Sequence, residues 1–151
     1  MDKAELLIGE LAELTGIDAK LDASGFCELE ADGNLVVLRH RPSSEDWLCF
    51  GVVRDGGEEE LPREILAKAL EFALFGTETG GCHLGLHGNA LVLSDTVLSD
   101  GLTAAAFAER ILDLSRRVTY LSGKLEEAVA PADGLDGENI LSGLGDRFIQ
   151  V

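Results

Sequence analysis

Residues 61–88 read LPREILAKALEFALFGTETGGCHLGLHG, and the parsing of this stretch decides the fold. Pro62 suits the first turn of a helix, where its missing N–H would have had no partner anyway. From there the apolar residues fall in two stripes at helical spacing. Ile65, Ala69, Phe72 and Ala73 form one, and Leu66, Leu70 and Leu74 form the other. Arg63, Glu64, Lys68 and Glu71 are left a narrow polar strip. A helix that covers one sheet needs a single apolar face. The second stripe asks for a subunit partner, because a chain of 151 residues offers little else to cover it. After the helix, TETGG lets the chain reverse, since glycine tolerates backbone angles that other residues avoid. CHLGLHG then alternates as a strand, with Cys82, Leu84 and Leu86 on one face and His83, Gly85 and His87 on the other.

Downstream, Gly88-Asn89 reads as a turn and Leu91 and Leu93 resume the alternation, which makes a hairpin over 82–94. Residues 103–129 carry Phe107, Ile111, Leu114, Val118, Leu121 and Leu125 in steps of four and three. That is a long amphipathic helix with Asp100 or Thr103 available as its N-cap. From Glu126 onward six acids face the single base Arg147 among Gly, Asp and Pro, so 130–151 reads as an acidic, glycine-rich flexible tail. Some helical character is expected only around 139–144. Upstream, FCELEA, NLVVLRH and DWLCFGVV are short runs of β-branched and aromatic residues separated by ADGN and HRPSSED, and they predict a three-stranded antiparallel meander. Its outward face is open from sequence alone. Residues 3–15 carry Leu7, Leu11 and Leu14 at helical spacing, with Gly16 as the stop. The order is therefore α-βββ-α-ββ-α, an α+β domain over 1–129 with antiparallel strands flanked by helices, forming a homodimer.

The chain has 28 acidic and 12 basic residues, a net charge of −16. Nucleic acid needs a basic footprint, so it is not expected as a partner, and neither is an anionic membrane surface. Such acidity suits a basic or polar partner prone to aggregate; it also suits a merely solvated, self-repelling surface. The N-terminus MDKAELLIGELAEL lacks a basic region before a continuous apolar core, and no run of about 18 apolar residues occurs. Three widely spaced cysteines form no disulfide framework. These features predict a soluble cytoplasmic protein.

Cys82, His83 and His87 are the residue types of metal sites and of nucleophilic catalysis. In a strand, however, the two histidines lie about 13 Å apart at ~3.3 Å per residue, and Cys82 faces away from both. A zinc site needs ligands that converge. A catalytic thiol needs an adjacent base and something to lower its pKa, whereas these surroundings are acidic. Neither GxxxxGK[ST] nor GxGxxG is present, and DGLDGEN lacks the spacing of an EF-hand loop. No catalytic residue, metal or cofactor is expected. What remains is apolar surface: Trp47, Phe50, Val52, the strand leucines and the first helix exceed what one thin sheet hides, and such surplus suits a binding surface. An open sheet also offers an edge to an extended peptide.

The chain resembles the class I type III secretion chaperones, the Tir-chaperone family. The resemblance rests on the element order over about 3–129, on the leucine-rich acidic first helix ELLIGELAELTGI, and on LPREILAKALEFALFGTETGGCHLGL. The hairpin LVLSDTVLSDGLTAAAF entering the last helix completes it. It implies a homodimer without enzymatic activity that holds the N-terminal segment of a secreted effector in extended form, keeping it soluble and secretion-competent, and that serves the secretion apparatus. By position, it implies Leu66, Leu70, Ala73 and Leu74 in the dimer interface. It also implies Leu7, Leu11, Leu14, Phe26, Val36, Leu38 and Phe50 at the effector. The alternatives are a small Cys/His metal-binding or thiol enzyme built on Cys82, His83 and His87, and a generic dimeric α+β module that binds a folded regulator.

Overall fold

The computed structural model describes residues 2–129. The tail expected at 130–151, with its helical stretch, lies outside them. The elements are α1 (Lys3–Thr15), β1 (Phe26–Ala31), β2 (Asn34–Arg41), β3 (Asp46–Asp55), α2 (Arg63–Ala73), β4 (His83–His87), β5 (Ala90–Leu98) and α3 (Ala104–Val129). The order is the expected one.

Local chemistry accounts for most boundaries. Asp2 caps α1 by accepting the Glu5 N–H at 2.8 Å, and Gly16 ends it in the left-handed region at φ 72°. Asp32 (φ 49°) and Gly33 (φ 85°) both take the positive φ of a two-residue hairpin turn between β1 and β2. Of the two candidate caps for α3, Thr103 serves: its Oγ1 accepts the Ala106 N–H at 3.1 Å. One boundary differs from expectation. The middle helix does not run through to Gly76 but stops at Ala73, and Leu74–Gly76 form a 3-10 turn with Phe75 in the left-handed region (φ 63°, ψ −2°).

All five strands join one antiparallel sheet in the order β1-β2-β3-β5-β4. The second hairpin thus extends the meander by pairing β5, not β4, with β3. Burial explains the choice. Leu91, Leu93 and Val97 of β5 are all nearly inaccessible and need a neighbour on each side, whereas β4 is mostly exposed and takes the edge.

The helices cover one face of the sheet. Val36, Leu38, Trp47, Cys49, Leu93 and Val97 point toward α3, which returns Phe107, Ile111, Leu114, Val118, Leu121 and Leu125. Trp47 and Phe107 stack tilted, their centroids 5.1 Å apart. Close approach of α3 requires Gly51, because a Cβ there would sit 3.0 Å from the Val118 Cγ2. A polar node ties the β1–β2 turn to the helix: Asn34 Nδ2 donates to Ser115 O, Ser115 Oγ and Thr119 Oγ1, and Ser115 Oγ donates to Ala31 O. α1 and α2 pack against α3.

Candidate functional site

Because all three helices lie on one side of the sheet, the opposite side is left to solvent. Cross-strand pairing aligns Val37 with Phe50 and Val52 with Val92 on that side, and Leu35 lies beside them. Leu35 is 58% exposed and Val52 48%, so a contiguous apolar patch occupies the centre of that face. Directly opposed residues have Cβ atoms about 5 Å apart, close enough for one extended ligand to touch several at once.

A second apolar region flanks α1. On one side a cleft is lined by Leu6, Leu7, His40, Trp47 and Leu102. On the other, a cleft of about 200 Å³ is lined by Leu11, Ile17, Leu29, Ala108, Ile111 and Leu112. Leu14, 58% exposed, projects from the same helix.

A third region comprises α2 and β4. The first stripe of α2 is the inner one, with Ile65, Ala69 and Phe72 buried. The second is outward: Leu70 is 75% exposed, Leu74 60% and Leu66 half-buried. Ala73, expected in the first stripe, is exposed as well. Phe75 and Leu86 add exposed apolar surface alongside. Among the described residues β4 pairs only with β5, which leaves its other edge open to a further strand.

The residues expected at an effector divide accordingly. Leu7, Phe26 and Phe50 are half-buried and Leu14 is exposed, all within reach of a ligand. Val36 and Leu38 have no accessible surface and Leu11 almost none. Their alternation places Val36 and Leu38 under α3, on the face opposite Phe26 and Phe50, so these two support the sheet surface from beneath, while Leu11 backs the cleft beside α1. Leu35, Val37, Val52 and Phe75 are not among the residues that the family resemblance implies. The strand alternation contains the first three, once it is known which face the helices cover. No local signal marks Phe75, whose exposure comes from the early end of α2.

The Cys/His stretch carries little chemistry. His83 and His87 stand at the two ends of β4. Among the described residues no group of three His, Cys, Asp or Glu side chains could hold a metal ion. Burial raises the Cys82 thiol pKa, and Asp95 adds to the effect. Burial pushes the Cys49 thiol up to about 12. No helix among the described residues is long and apolar enough to cross a membrane.

The fold matches chains from solved two-protein complexes. One is a chain from the complex of the Yersinia pestis type III secretion chaperone SycH with a stable fragment of YscM2 (TM-score 0.59, 16% identity, 79% of this chain and 99% of that one). Another is from the ExsC–ExsE complex (TM-score 0.69, 21% identity, 83% and 97%). A third is from the Pseudomonas aeruginosa ExoU–SpcU type III secretion complex (TM-score 0.55, 18% identity, 83% and 98%). Comparison with curated proteins gives no match. At these identities the structural likeness speaks for the fold alone. The sequence itself matches the family model of the Tir chaperone protein (CesT) family over residues 6–121, most of the chain from α1 into α3. The protein therefore belongs to the Tir chaperone family.

Proposed function

We propose that the protein is a dedicated chaperone for a type III secretion effector, whose N-terminal segment it binds in extended form and keeps soluble and secretion-competent. The observation that carries this reading is the apolar patch on the helix-free face of the sheet, taken with the family to which the chain belongs. Water-exposed apolar surface of this extent on so acidic a chain is a binding surface awaiting an apolar ligand. A relative in this fold, from the HopA1–SchA pair, belongs to a chaperone–effector complex. Effector contact is assigned to Leu7, Leu14, Phe26 and Phe50, joined by Leu35, Val37 and Val52. Leu11, Val36 and Leu38 shape that surface from within.

The working unit is a cytoplasmic homodimer without enzymatic activity, built from the domain 1–129. Its contact runs through the outer stripe of α2 and the free edge of β4. Charge favours a second copy at this face. α2 carries two acids and two bases, and residues 79–93 include no Asp, Glu, Lys or Arg, in a chain of net charge −16. Two copies of an acidic protein approach with least repulsion there. Co-expression with the N-terminal segment of an effector encoded nearby tests the function. The segment should co-purify, remain soluble and stay as accessible to protease as an unfolded chain between its contacts. A segment that precipitates alone despite the chaperone refutes the reading.

A further inference from the structure

Phe75 stands out within the α2–β4 region. A bulky L-residue at φ 63° is strained, and its ring is 90% exposed. Among the described residues nothing covers the ring, and the loop at 76–82 that follows holds the backbone in this bend.

That loop is held from α3. Gly76 (φ 69°), Gly80 (φ 63°) and Gly81 (φ 85°) close it tightly, and the Gly81 N–H donates to Gly76 O at 3.0 Å. The Cys82 N–H donates to Thr79 O at 3.1 Å. Arg117 and Tyr120, neighbours one turn apart on α3, grip the loop at Glu78. Arg117 Nη1 donates to the Glu78 carbonyl at 3.1 Å, and the Tyr120 hydroxyl donates to Glu78 Oε2 at 2.5 Å. The guanidinium also lies over the Tyr120 ring, 5.4 Å from its centroid, and flat against Gly80, where a Cβ would come within 2.8 Å of Nη2. Thr79 is buried beneath this contact. The loop after Phe75 is thus fastened to α3, while the segment before it belongs to α2.

The geometry points to Phe75 as the anchor of the contact with a second copy, and to Arg117 and Tyr120 as the residues that position it. By fixing residues 76–82 to α3, they hold the 3-10 turn in its left-handed bend and present the ring beside Leu70, Leu74 and the edge of β4. Released from α3, the turn would relax toward ordinary helical angles and the ring would leave this position. The inference rests on the dimer proposed above.

The test is the dimer dissociation constant of the full chain, by sedimentation equilibrium, for wild type, Phe75→Ala, Arg117→Ala, Tyr120→Phe and the double variant Phe75→Ala/Arg117→Ala. An anchoring aromatic should cost about 30-fold or more when truncated. Arg117→Ala should weaken the dimer about 10-fold, and Tyr120→Phe in the same direction, because both act through the placement of one ring. The double variant should then be little weaker than Phe75→Ala alone; a merely structural contribution of Arg117 would instead add in full. A wild-type chain that is monomeric removes the dimer reading itself. A wild-type dimer in which Arg117→Ala and Tyr120→Phe change nothing, or in which the Arg117 and Phe75 effects add, overturns the positioning role and leaves the dimer standing.

Discussion

Two side chains on the same helix, Leu70 and Phe72, should respond in opposite ways to truncation. Leu70 is 75% exposed and Phe72 is 5% exposed. Full burial of a leucine side chain is worth about 1.5–3 kcal/mol, so docking the exposed three-quarters of Leu70 contributes about 1–2 kcal/mol per protomer. A two-fold contact uses the residue twice. Alanine keeps part of the side chain, so Leu70→Ala should cost the dimer about 1.5–3 kcal/mol, a rise in dissociation constant of about 10- to 150-fold. The folding stability of the separated protomer should change by no more than about 0.5 kcal/mol, as for other exposed positions. Phe72→Ala opens a cavity beneath α2 and should cost about 3–5 kcal/mol of folding stability. Sedimentation equilibrium reads the first quantity and denaturant unfolding of dilute protein the second. The reasoning fails if Leu70→Ala leaves a wild-type-like dimer constant, or if it destabilises the protomer as severely as Phe72→Ala.

The same geometry sets three further outcomes. On β2, Leu38→Ala should cost about 2–5 kcal/mol of stability, whereas Leu35→Asp on the open face of the same strand should be nearly neutral for folding and should weaken capture of the effector segment; equal melting temperatures for the two variants would contradict the assignment of faces. Cys49, with its thiol pushed up to about 12 by burial, and Cys27, raised in the same direction, should resist a thiol reagent at pH 8 until the protein is unfolded; rapid labelling of Cys49 in the native protein would count against the packing under α3. The two-pronged hydrogen bond from Arg41 holds the Asp46 carboxyl below its ordinary value of 3.8. A depressed folded-state pKa contributes stability that is complete above about pH 4 and disappears as pH falls through the folded value. Asp46→Asn should therefore lower stability at neutral pH and make the acid loss of stability shallower, and an unchanged acid-unfolding curve would rule the contribution out.

Much of the architecture was legible in the residues. The steps of four and three from Phe107 to Leu125, the Asp32-Gly33 turn and the double stripe of α2 each report a local period or a local backbone requirement, and those are properties of neighbours in sequence. The functional surfaces were less legible. Alternation separates Val36 and Leu38 from Leu35 and Val37, and Phe26 and Phe50 from Cys27 and Cys49, but both sets in β2 are apolar. Glu28 and Glu30 share the Phe26 face of β1, and the Asp32-Gly33 turn sets Glu30 opposite Leu35, so the clue to the open face lay in the pairing of β1 with β2 rather than in β2 itself.

The sequence by itself therefore determined the element order, the family and the presence of a helix with one apolar face more than its own sheet needs. Only the tertiary structure decided that β5 slips between β3 and β4, that all three helices gather on one face, and that Phe75 is turned out at the end of α2. Each of these depends on contacts between residues far apart in the chain: β3 with β5, α3 with Gly51, Arg117 and Tyr120 with Glu78. Packing of that kind selects between alternatives that local periodicity leaves equal in energy.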